Sequence, residues 1–485
     1  MAVQLNYLAP KGWQPENPDE KYVIALFKME LAEGVPESAF LDGAASVAAE
    51  SSTGTWTKVE ARPDSGMARA DEYKALVFDV DAERHMFKVA YRVDLFEPGN
   101  MSGFLAGPAG NIAGMKMVQG LRIFDIRFPK SFVQSFPGPR YGIPGLREIL
   151  GHSERQPLLG TVPKPKVGRT AEEQATLARR LWTAGDGSYD FIKDDENLTS
   201  LPFSTFDDRA RAVLKVQREV EAKGAPKKLY LCNVTHSSID VMLERANLIK
   251  EQGGRVMMMD VVTTGMAAVH TMRLKNPELF IHAHRAMHGF FTRESGPGIR
   301  GDGKLWGFSI SMLVLSKLCR LMGVDSLHIG SPKAKMQDYG ESEVINLAMN
   351  PNDDTSNPYN HFHLSPEATT VTHAIGQDET PIDQKFHTLG QKWFGLKPVW
   401  SVASGGLHPG VLDTVVEKLG RDIFIQLGGG VLGHPGGAER GVEAALQARA
   451  VVMAGGRITD YVAKHTDSAL AEAVKLWGTE PKIVY

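Results

Sequence analysis

From about residue 156 onward, short apolar runs alternate with longer amphipathic stretches. Each run ends in polar, charged or glycine residues, and a stretch with helical spacing of apolar residues follows. One such stretch, ARAVLKVQREVEAK, lies between the second and third runs and predicts a helix with one charged face. The eight runs are PLLGTVPKPK, DFIKDDE, KLYLCN, RVMMMD, LFIHAHR, SLHIG, PVWSVASGG and IFIQLGGG.

Eight strand–helix repeats in series predict an α/β protein with a closed parallel (β/α)8 barrel, the TIM barrel. In such a barrel the reactive residues lie at the carboxyl ends of the strands, where the polar residues of these runs fall. A doubly wound open sheet is the alternative. A count of eight, with candidate chemistry at nearly every strand end, favours the closed barrel.

The first part of the chain has a different pattern. YVIALFKME and HMFKVAYRVDLF predict antiparallel strands and LDGAASVAAESS predicts a helix, so we expect an N-terminal α+β domain of ferredoxin-like type over residues 1–137. The barrel domain then spans residues 138–485 and ends in a helical tail. The interval between the sixth and seventh runs is much longer than the others, which predicts an insertion at about residues 350–392. Its His361 and His363 could bind a metal, but a solvated or interface loop is favoured.

Composition narrows the choice of partners. The 485 residues include 54 Lys+Arg and 57 Asp+Glu, a net charge of −3, so a nucleic-acid partner is disfavoured. No run approaches the ~18 apolar residues of a membrane helix, and the N-terminal residues lack the apolar core of a signal peptide. We therefore expect a cytoplasmic protein without a membrane partner.

The run FIKDDE carries the most specific candidate chemistry. Alternation along a strand places Lys193 and Asp195 on one side, and Glu196 turns inward as the strand finishes. Paired carboxylates suit a hard cation such as Mg²⁺. An ammonium group beside a cation is repelled, unless the neutral amine captures carbon dioxide and becomes a carbamate anion. A simple Lys–Asp salt bridge is an equally weighted alternative.

Further charged residues fall on other strands of the predicted barrel. Lys164 and Lys166 are two positions apart on the first strand, and two inward lysines are costly unless they meet anions or act as acid–base groups. The fifth and sixth strands supply an arginine and several histidines, a combination that suits phosphate. These residues are His284, Arg285, His288 and His328.

Glycines end the last two strands. Ser404-Gly405-Gly406 follows the seventh strand and Gly428-Gly429-Gly430 follows the eighth. Backbone amides freed by glycine at these ends form the usual phosphate site of a barrel. Together with the arginine and histidine cluster opposite, they indicate a small substrate with a phosphate at each end.

Several of these segments resemble the motifs of a known family. GTVPKPKVG, FIKDDEN, HAHRAMH, SVASGG and IQLGGGVLGHP are similar to the strand-end motifs of ribulose-1,5-bisphosphate carboxylase/oxygenase (RuBisCO) large chains, and AAESSTGTW and GNIAGMK to the family's N-terminal segments. The insertion makes the chain most similar to the form II/III group. The resemblance implies carboxylation of ribulose 1,5-bisphosphate by CO2 to two 3-phosphoglycerate (EC 4.1.1.39), with oxygenation by O2 as a side reaction.

The resemblance also implies catalytic roles. Lys193, as a carbamate formed with activating CO2, would hold Mg²⁺ together with Asp195 and Glu196, and would take the proton from the third carbon of the substrate. The other catalytic residues implied are Lys164 as late proton donor, Lys166 tuning it, His284 assisting proton transfer, and Lys335 closing over the substrate to stabilise the new carboxylate.

Substrate-binding residues follow from the same motifs. Four of them fall in the N-terminal domain, so the family's site is built between two chains. This implies a homodimer or a higher homo-oligomer, and no small subunit is expected. The residues are Glu50, which would pair with Lys335, and Thr55, Trp56, Asn111, Arg285, His288, His328, Ser404, Gly405, Gly406, Gly428 and Gly429.

The chain departs from the family pattern at two places. The closing loop usually reads Gly-Lys-x-Glu-Gly, whereas here Ala334 precedes Lys335 and Gln337 replaces the glutamate. Arg169 stands where many members have leucine. Two other functions remain as alternatives: a RuBisCO-like enolase or tautomerase, and a non-catalytic sugar-phosphate-binding protein. Both are disfavoured because every carboxylation residue that can be placed is present.

Overall fold

The computed structural model describes residues 2–3, 6–54, 57–60, 62–152, 154–292, 307–331, 375–383 and 388–480. Three predicted site residues, Thr55, Trp56 and Lys335, lie outside these ranges. So do the altered closing loop and most of the predicted insertion, including His361 and His363.

A mixed sheet forms the core of the N-terminal part. Strand β2 (Tyr22–Leu31) pairs antiparallel with β5 (Met86–Arg92), as the sequence predicts, and also with β6 (Val118–Arg127), which the sequence analysis did not predict. The expected helix is present as α2, which buries Phe40, Ala44, Val47 and Ala48. The sheet also contains β4 (Leu76–Asp81), whereas β1 (Ala2–Val3) and β3 (Val59–Glu60) form a separate antiparallel pair. The helices of this part are α1 (Pro18–Lys21), α2 (Phe40–Glu50), α3 (Met67–Tyr73), α4 (Met101–Ala106) and α5 (Lys130–Gln134).

The second part of the chain is a closed barrel of eight parallel strands, so the TIM-barrel prediction is confirmed and the open sheet is wrong. The last strand pairs with the first through Phe424 and Leu158, which closes the cylinder. The strands in barrel order are β7 (Leu158–Thr161), β8 (Phe191–Lys193), β9 (Leu229–Asn233), β10 (Val256–Asp260), β11 (Phe280–His284), β13 (Ser326–His328), β16 (Trp400–Ala403) and β17 (Ile423–Gln426).

Helices surround this barrel. The amphipathic stretch singled out in the sequence is α8, whose N-cap Thr205 accepts from the backbone N–H of Asp208. The described helices of this part are α6 (Gly142–Leu150), α7 (Ala171–Thr183), α8 (Phe206–Ala222), α9 (Ile239–Glu251), α10 (Val261–Thr264), α11 (Met266–Lys275), α12 (Gly289–Thr292), α13 (Met312–Met322), α14 (Leu412–Leu419), α15 (Gly429–Leu432), α16 (Ala438–Met453), α17 (Ile458–Lys464) and α18 (Ala469–Trp477). None of the helices in the described ranges is both long and apolar enough to span a bilayer.

Alternate strand residues divide into two layers. Phe191 packs with other inward side chains in the barrel interior, whereas the next residue, Ile192, packs outward in the large core that includes the surrounding helices. The alternation continues toward the carboxyl end of the strand, so the side chain of Lys193, like that of Phe191, points toward the barrel axis. The same period places His282 and His284 inward after Phe280, and Asp260 inward after Met258.

One strand links the two parts. Strand β12 (Gly307–Ile310) comes from the chain between β11 and α13, yet it pairs parallel with β6 at the edge of the N-terminal sheet. The buried guanidinium of Arg122 on β6 reinforces the junction, because it donates to the carbonyl of Thr292 at 2.8 Å and to Ser309 Oγ at 3.0 Å. The N-terminal sheet therefore contains a strand from the C-terminal half of the chain.

The described end of the predicted insertion is a hairpin of β14 (Glu379–Asp383) and β15 (Thr388–Lys392). It packs against the same chain's N-terminal sheet: Leu389 N–H donates to Asp125 Oδ2 at 2.9 Å, and the Gln391 amide exchanges hydrogen bonds with the backbone of Phe128. This end of the insertion is an internal contact between the two parts of the chain.

Candidate active site

Lys193 ends β8 at the carboxyl end of the barrel and is fully buried, with Nζ donating to its neighbour's carbonyl, Asp194 O, at 2.7 Å. Burial lowers the pKa of this amine, against the opposite effect of the carboxylates of Glu196, Asp260 and Asp195. The neutral amine is the form that reacts with carbon dioxide. The environment of Lys193 therefore favours the form that carbamate formation requires.

Asp194 points to the outer side of the barrel, opposite to Lys193. Its buried carboxylate accepts from Arg209 Nε and Nη2 at 3.2 Å, from the Tyr230 hydroxyl at 2.5 Å and from the Asn233 backbone N–H at 3.0 Å. Four donors stabilise a charge that would be costly to bury alone. This network fixes the backbone between Lys193 and Asp195, and sequence analysis missed its role.

Lys164 and Lys166 do not lie on the first barrel strand as predicted. Strand β7 ends at Thr161, because Pro163 and Pro165 have no N–H with which to continue a ladder, and the two lysines lie on the turn that follows. The Lys164–Pro165 peptide bond is cis.

The turn nevertheless brings both lysines to the paired carboxylates. Lys164 Nζ lies 3.1 Å from Asp195 Oδ2, and Lys166 Nζ lies 2.8 Å from Glu196 Oε1. Burial raises the pKa of Glu196, but His284 and Lys193, when they carry a proton, and the hydrogen bond from Lys166 lower it below its usual range. Glu196 is therefore ionised at neutral pH.

His284 faces the same carboxylates. Its Nδ1 lies 3.1 Å from Asp260 Oδ1 and its Nε2 lies 3.7 Å from Glu196 Oε2. Burial and the nearby charge of Lys193 lower the pKa of His284, which keeps the ring neutral. A carboxylate can only accept a hydrogen bond, so the contact with Asp260 favours the proton on Nδ1 of His284. The other ring nitrogen, Nε2, is then the basic one, and it lies at the carboxyl end of the barrel, which we call the mouth. Asp260 was not assigned to the site from sequence, although its place as the last inward residue of β10 was the available signal.

A hydrogen-bonded chain of two histidines runs beneath the mouth. His282 Nδ1 is 2.8 Å from Ser326 Oγ, its Nε2 is 3.0 Å from Nε2 of His328, and His328 Nδ1 is 2.9 Å from Ser404 Oγ. Burial lowers the pKa of both histidines well below the usual range. The chain fixes His328 and Ser404 relative to each other, and His282, which sequence analysis did not assign to the site, supplies the link.

The cluster predicted to bind phosphate, Arg285, His288 and His328, contains one cation and neutral histidines. Burial and the neighbouring Arg285 lower the pKa of His288 to about 3, and its Nδ1 contacts Thr292 Oγ1 at 2.8 Å. His288 can thus donate a hydrogen bond but carries no charge at neutral pH. The positive charge of this cluster comes from Arg285.

The glycines after the last two strands leave room for a ligand. A Cβ added at Gly428 would lie 3.1 Å from Lys164 Cε, whereas one at Gly429 meets nothing within 4 Å. Gly405 and Gly406 have φ values of 106° and 79°, which turn the chain after β16. The backbone at the ends of β16 and β17 can therefore approach a phosphate closely, beside Lys164.

Two predicted binding residues belong to the N-terminal part of the chain. Glu50, at the end of α2, and Asn111 are both exposed on the N-terminal part. Within one chain they remain surface residues, as expected if a second chain completes the site.

The residues at the mouth fit Mg²⁺ only with a third anion. Among the described residues, no three His, Cys, Asp or Glu side chains converge to hold a metal ion. Asp195 and Glu196 provide two carboxylates of the hard type that Mg²⁺ prefers. Carbamate formation at Lys193 would add a third oxygen donor and remove the repelling charge, so the donor set fits the ion in that form.

A closed (β/α)8 barrel that gathers paired carboxylates, lysines and a histidine at the carboxyl ends of its strands has the architecture of a barrel enzyme. The profile described as ribulose bisphosphate carboxylase large chain, N-terminal domain, matches residues 13–132, and that of the catalytic domain matches residues 142–477. The chain belongs to the RuBisCO large chain family.

Known relatives and structures agree with this assignment. The ribulose bisphosphate carboxylase of Archaeoglobus fulgidus is 39% identical over 472 residues, which cover 96% of each chain. The dimeric archaeal Rubisco from Hyperthermus butylicus has a TM-score of 0.79 at 36% identity, covering 97% of this chain and 98% of that one. The octameric Rubisco from Pyrococcus horikoshii has a TM-score of 0.77 at 31% identity, covering 99% and 100%. The assignment to the form II/III group stays a prediction.

Proposed function

We propose that this chain is a ribulose-bisphosphate carboxylase that adds CO2 to ribulose 1,5-bisphosphate and releases two molecules of 3-phosphoglycerate, with oxygenation as a side reaction. The observation that carries the proposal is the buried Lys193 beside Asp195 and Glu196, in a chain matched along nearly its whole length by RuBisCO large chains. Lys164, Lys166 and His284 surround these three residues within hydrogen-bond or ion-pair reach of the carboxylates.

In the proposed mechanism Lys193, once carbamylated, takes the proton from the third carbon of the substrate and so produces an enediol. The basic Nε2 of His284 assists the proton movements that follow. After CO2 has added to the second carbon and water to the third, the bond between these two carbons breaks and leaves a carbanion. Lys164 moves from Asp195 to deliver the last proton to it, and Lys166 tunes Lys164 from two residues away. Lys335, which lies outside the described residues, stabilises the carboxylate that forms when CO2 adds.

The remaining residues hold the substrate and the ion. Asp195, Glu196 and the carbamylated Lys193 would bind Mg²⁺, which when bound supplies a Lewis acid for the substrate oxygens. One phosphate is held by the glycine amides after β16 and β17 with Thr55 and Trp56. The residues proposed for the other phosphate are Arg285, His288 and His328, with Ser404 nearby.

The active unit is proposed to be a homodimer or a larger homo-oligomer. The exposed positions of Glu50 and Asn111 support this, since both can serve a neighbouring chain's barrel mouth. The structural relatives include dimeric and octameric archaeal Rubisco. No small subunit is part of the proposal.

A labelling experiment tests the function. The purified chain is incubated with Mg²⁺, labelled bicarbonate and ribulose 1,5-bisphosphate, and acid-stable label is measured in 3-phosphoglycerate. We expect one labelled carbon for every two product molecules. Exchange of the third-carbon proton without incorporation of label would instead indicate the enolase or tautomerase alternative. Binding of the bisphosphate without exchange would indicate a non-catalytic protein.

A further inference from the structure

The turn that carries Lys164 and Lys166 is poor in backbone donors. It follows β7, and two of its residues, Pro163 and Pro165, have no N–H. Carbonyl oxygens in a turn of this kind need a donor from elsewhere, either from water or from a side chain. The position of the two lysines thus depends on what holds these carbonyls.

Arg169 supplies those donors. Its Nη1 donates to Pro165 O at 3.1 Å and its Nη2 donates to Lys164 O. Gly168, with a φ of 122°, allows the chain to reverse so that the guanidinium reaches back over the turn. One half-buried side chain therefore binds two consecutive carbonyls of the lysine turn.

The backbone of Arg169 is itself held at the start of α7. The next residue, Thr170, is the N-cap: its Oγ1 accepts from Glu173 N–H at 3.2 Å, and Glu173 Oε2 accepts from Thr170 N–H at 2.9 Å. This capping box fixes the helix terminus. Arg169 thus joins a rigid helix end to the lysine turn.

The backbone that carries the two lysines has to be held in place because their amines have to move. In this structure Lys164 and Lys166 contact Asp195 and Glu196, the carboxylates proposed to bind Mg²⁺. If Asp195 and Glu196 held the ion, both ammonium groups would lose these partners by charge repulsion and would be free to turn toward the substrate. The side chains change partners while the backbone beneath them has to remain in place.

We propose that Arg169 is a positioning residue that holds the Lys164–Lys166 turn during this exchange, an inference that rests on the function proposed above. The contacts of Arg169 are with the carbonyls of the turn, so its effect on the reaction is indirect. It acts by keeping the Lys164 backbone at a fixed distance from the reacting carbon, so that the last proton arrives on time.

The products of the reaction report on that timing. Cleavage of the carboxylated intermediate leaves one 3-phosphoglycerate as a carbanion at its second carbon, and Lys164 is proposed to protonate it. If the proton is late, the electron pair forms a double bond to the third carbon and expels the phosphate, which gives the enol of pyruvate and inorganic phosphate. The ratio of pyruvate to 3-phosphoglycerate therefore measures how well Lys164 is placed, independently of how much enzyme is folded.

The test compares Arg169→Leu and Arg169→Lys with the wild-type protein. For Arg169→Leu we expect kcat to fall about tenfold, because a small misplacement of a catalytic group has effects of this order. The KM for ribulose bisphosphate should change little, and the pyruvate ratio should rise severalfold. Arg169→Lys, which keeps a cationic donor, should recover part of both losses. Arg180→Ala is the matched control, since Arg180 lies on the same helix and pairs with the exposed Glu439.

Crystal structures without substrate provide a second measurement. The backbone of the Lys164–Lys166 turn should be displaced or have raised B-factors in Arg169→Leu relative to the wild type and should be unchanged in Arg180→Ala. An unaltered product ratio and an unaltered turn in Arg169→Leu would overturn the proposal, as would equal effects from Arg180→Ala. If the wild-type protein fixes no carbon dioxide, the proposed function fails, while the structural comparison still decides whether Arg169 holds the turn.

Discussion

Replacing Lys193 with methionine tests the centre of the proposed site. Methionine has similar length and suits the buried position, so Lys193→Met should fold normally. It cannot form a carbamate and should lose both activation by CO2 and carboxylase activity. In the wild-type protein, pre-incubation with CO2 and Mg²⁺ at mildly alkaline pH should raise activity.

The expected pH dependence follows from the protonation of the amine. With the ordinary pKa of 10.5, only about 0.3% of lysines are neutral at pH 8, which corresponds to a cost of about 3.4 kcal/mol. Burial lowers the pKa of Lys193 and so removes part of this cost. The activation rate should rise about tenfold per pH unit and should level off below pH 10.5.

Two measurements follow the reaction. Carbon-13 NMR with labelled CO2 and Mg²⁺ should show one carbamate signal in the wild type, absent from Lys193→Met. Stopped activation assays between pH 7 and 9 give the rate profile. Lys228→Met is the matched control: Lys228 is also a buried lysine, with its pKa lowered to about 8 by burial, but it donates to the carbonyls of Gly187 and Tyr189 away from the paired carboxylates. That variant should keep the signal.

An activation rate that does not change with pH would refute this reasoning. So would an active Lys193→Met variant, or a wild-type protein that is equally active without CO2 pre-incubation. Loss of the NMR signal in Lys228→Met alone would show that the wrong lysine had been assigned.

Three further predictions concern other parts of the site. Gly428→Ala should lower kcat about tenfold, because its Cβ would lie 3.1 Å from Lys164 Cε and displace that side chain; steady-state kinetics with a melting curve check this. Lys335→Ala should bind the substrate and exchange its third-carbon proton but carboxylate at least about a hundredfold more slowly. Lys333→Ala should show only a small loss, and the reverse result would place the catalytic lysine two residues earlier. Deleting residues 350–374 should lower oligomeric mass or the melting temperature more than turnover per site, and light scattering that finds both unchanged would contradict an interface role.

Sequence periodicity was sufficient for the barrel and for the inward side of its strands. Lys193 follows Phe191 by two positions, so one pattern predicts both the packed interior and the buried amine above it. The same reasoning failed for Lys164 and Lys166, which were assigned to a strand because alternation was extended past two prolines. On a turn their direction depends on local contacts, above all those of Arg169.

Other features depend on contacts that no linear pattern contains. The link from His282 to His328 joins two strands through ring nitrogens 3.0 Å apart; the sequence assigned His328 to the site but gave no signal for His282. Asp260 was visible as the last inward residue of its strand, but its role depends on its distance from His284. The sequence predicts the insertion but not the hairpin at its described end, which is held by Asp125 and Phe128, more than 250 positions earlier.

Strand β12 has a practical consequence for anyone who divides this protein. A cut between the two matched profiles, near residue 137, appears natural from sequence, but it separates β6 from the strand that covers its edge. The excised N-terminal fragment would present β6 as an open edge, a form that promotes strand pairing between molecules. It would also leave Arg122 without the Thr292 and Ser309 oxygens that it contacts in the whole chain. Fragments and chimaeras of this protein should therefore exchange β12 together with the N-terminal sheet.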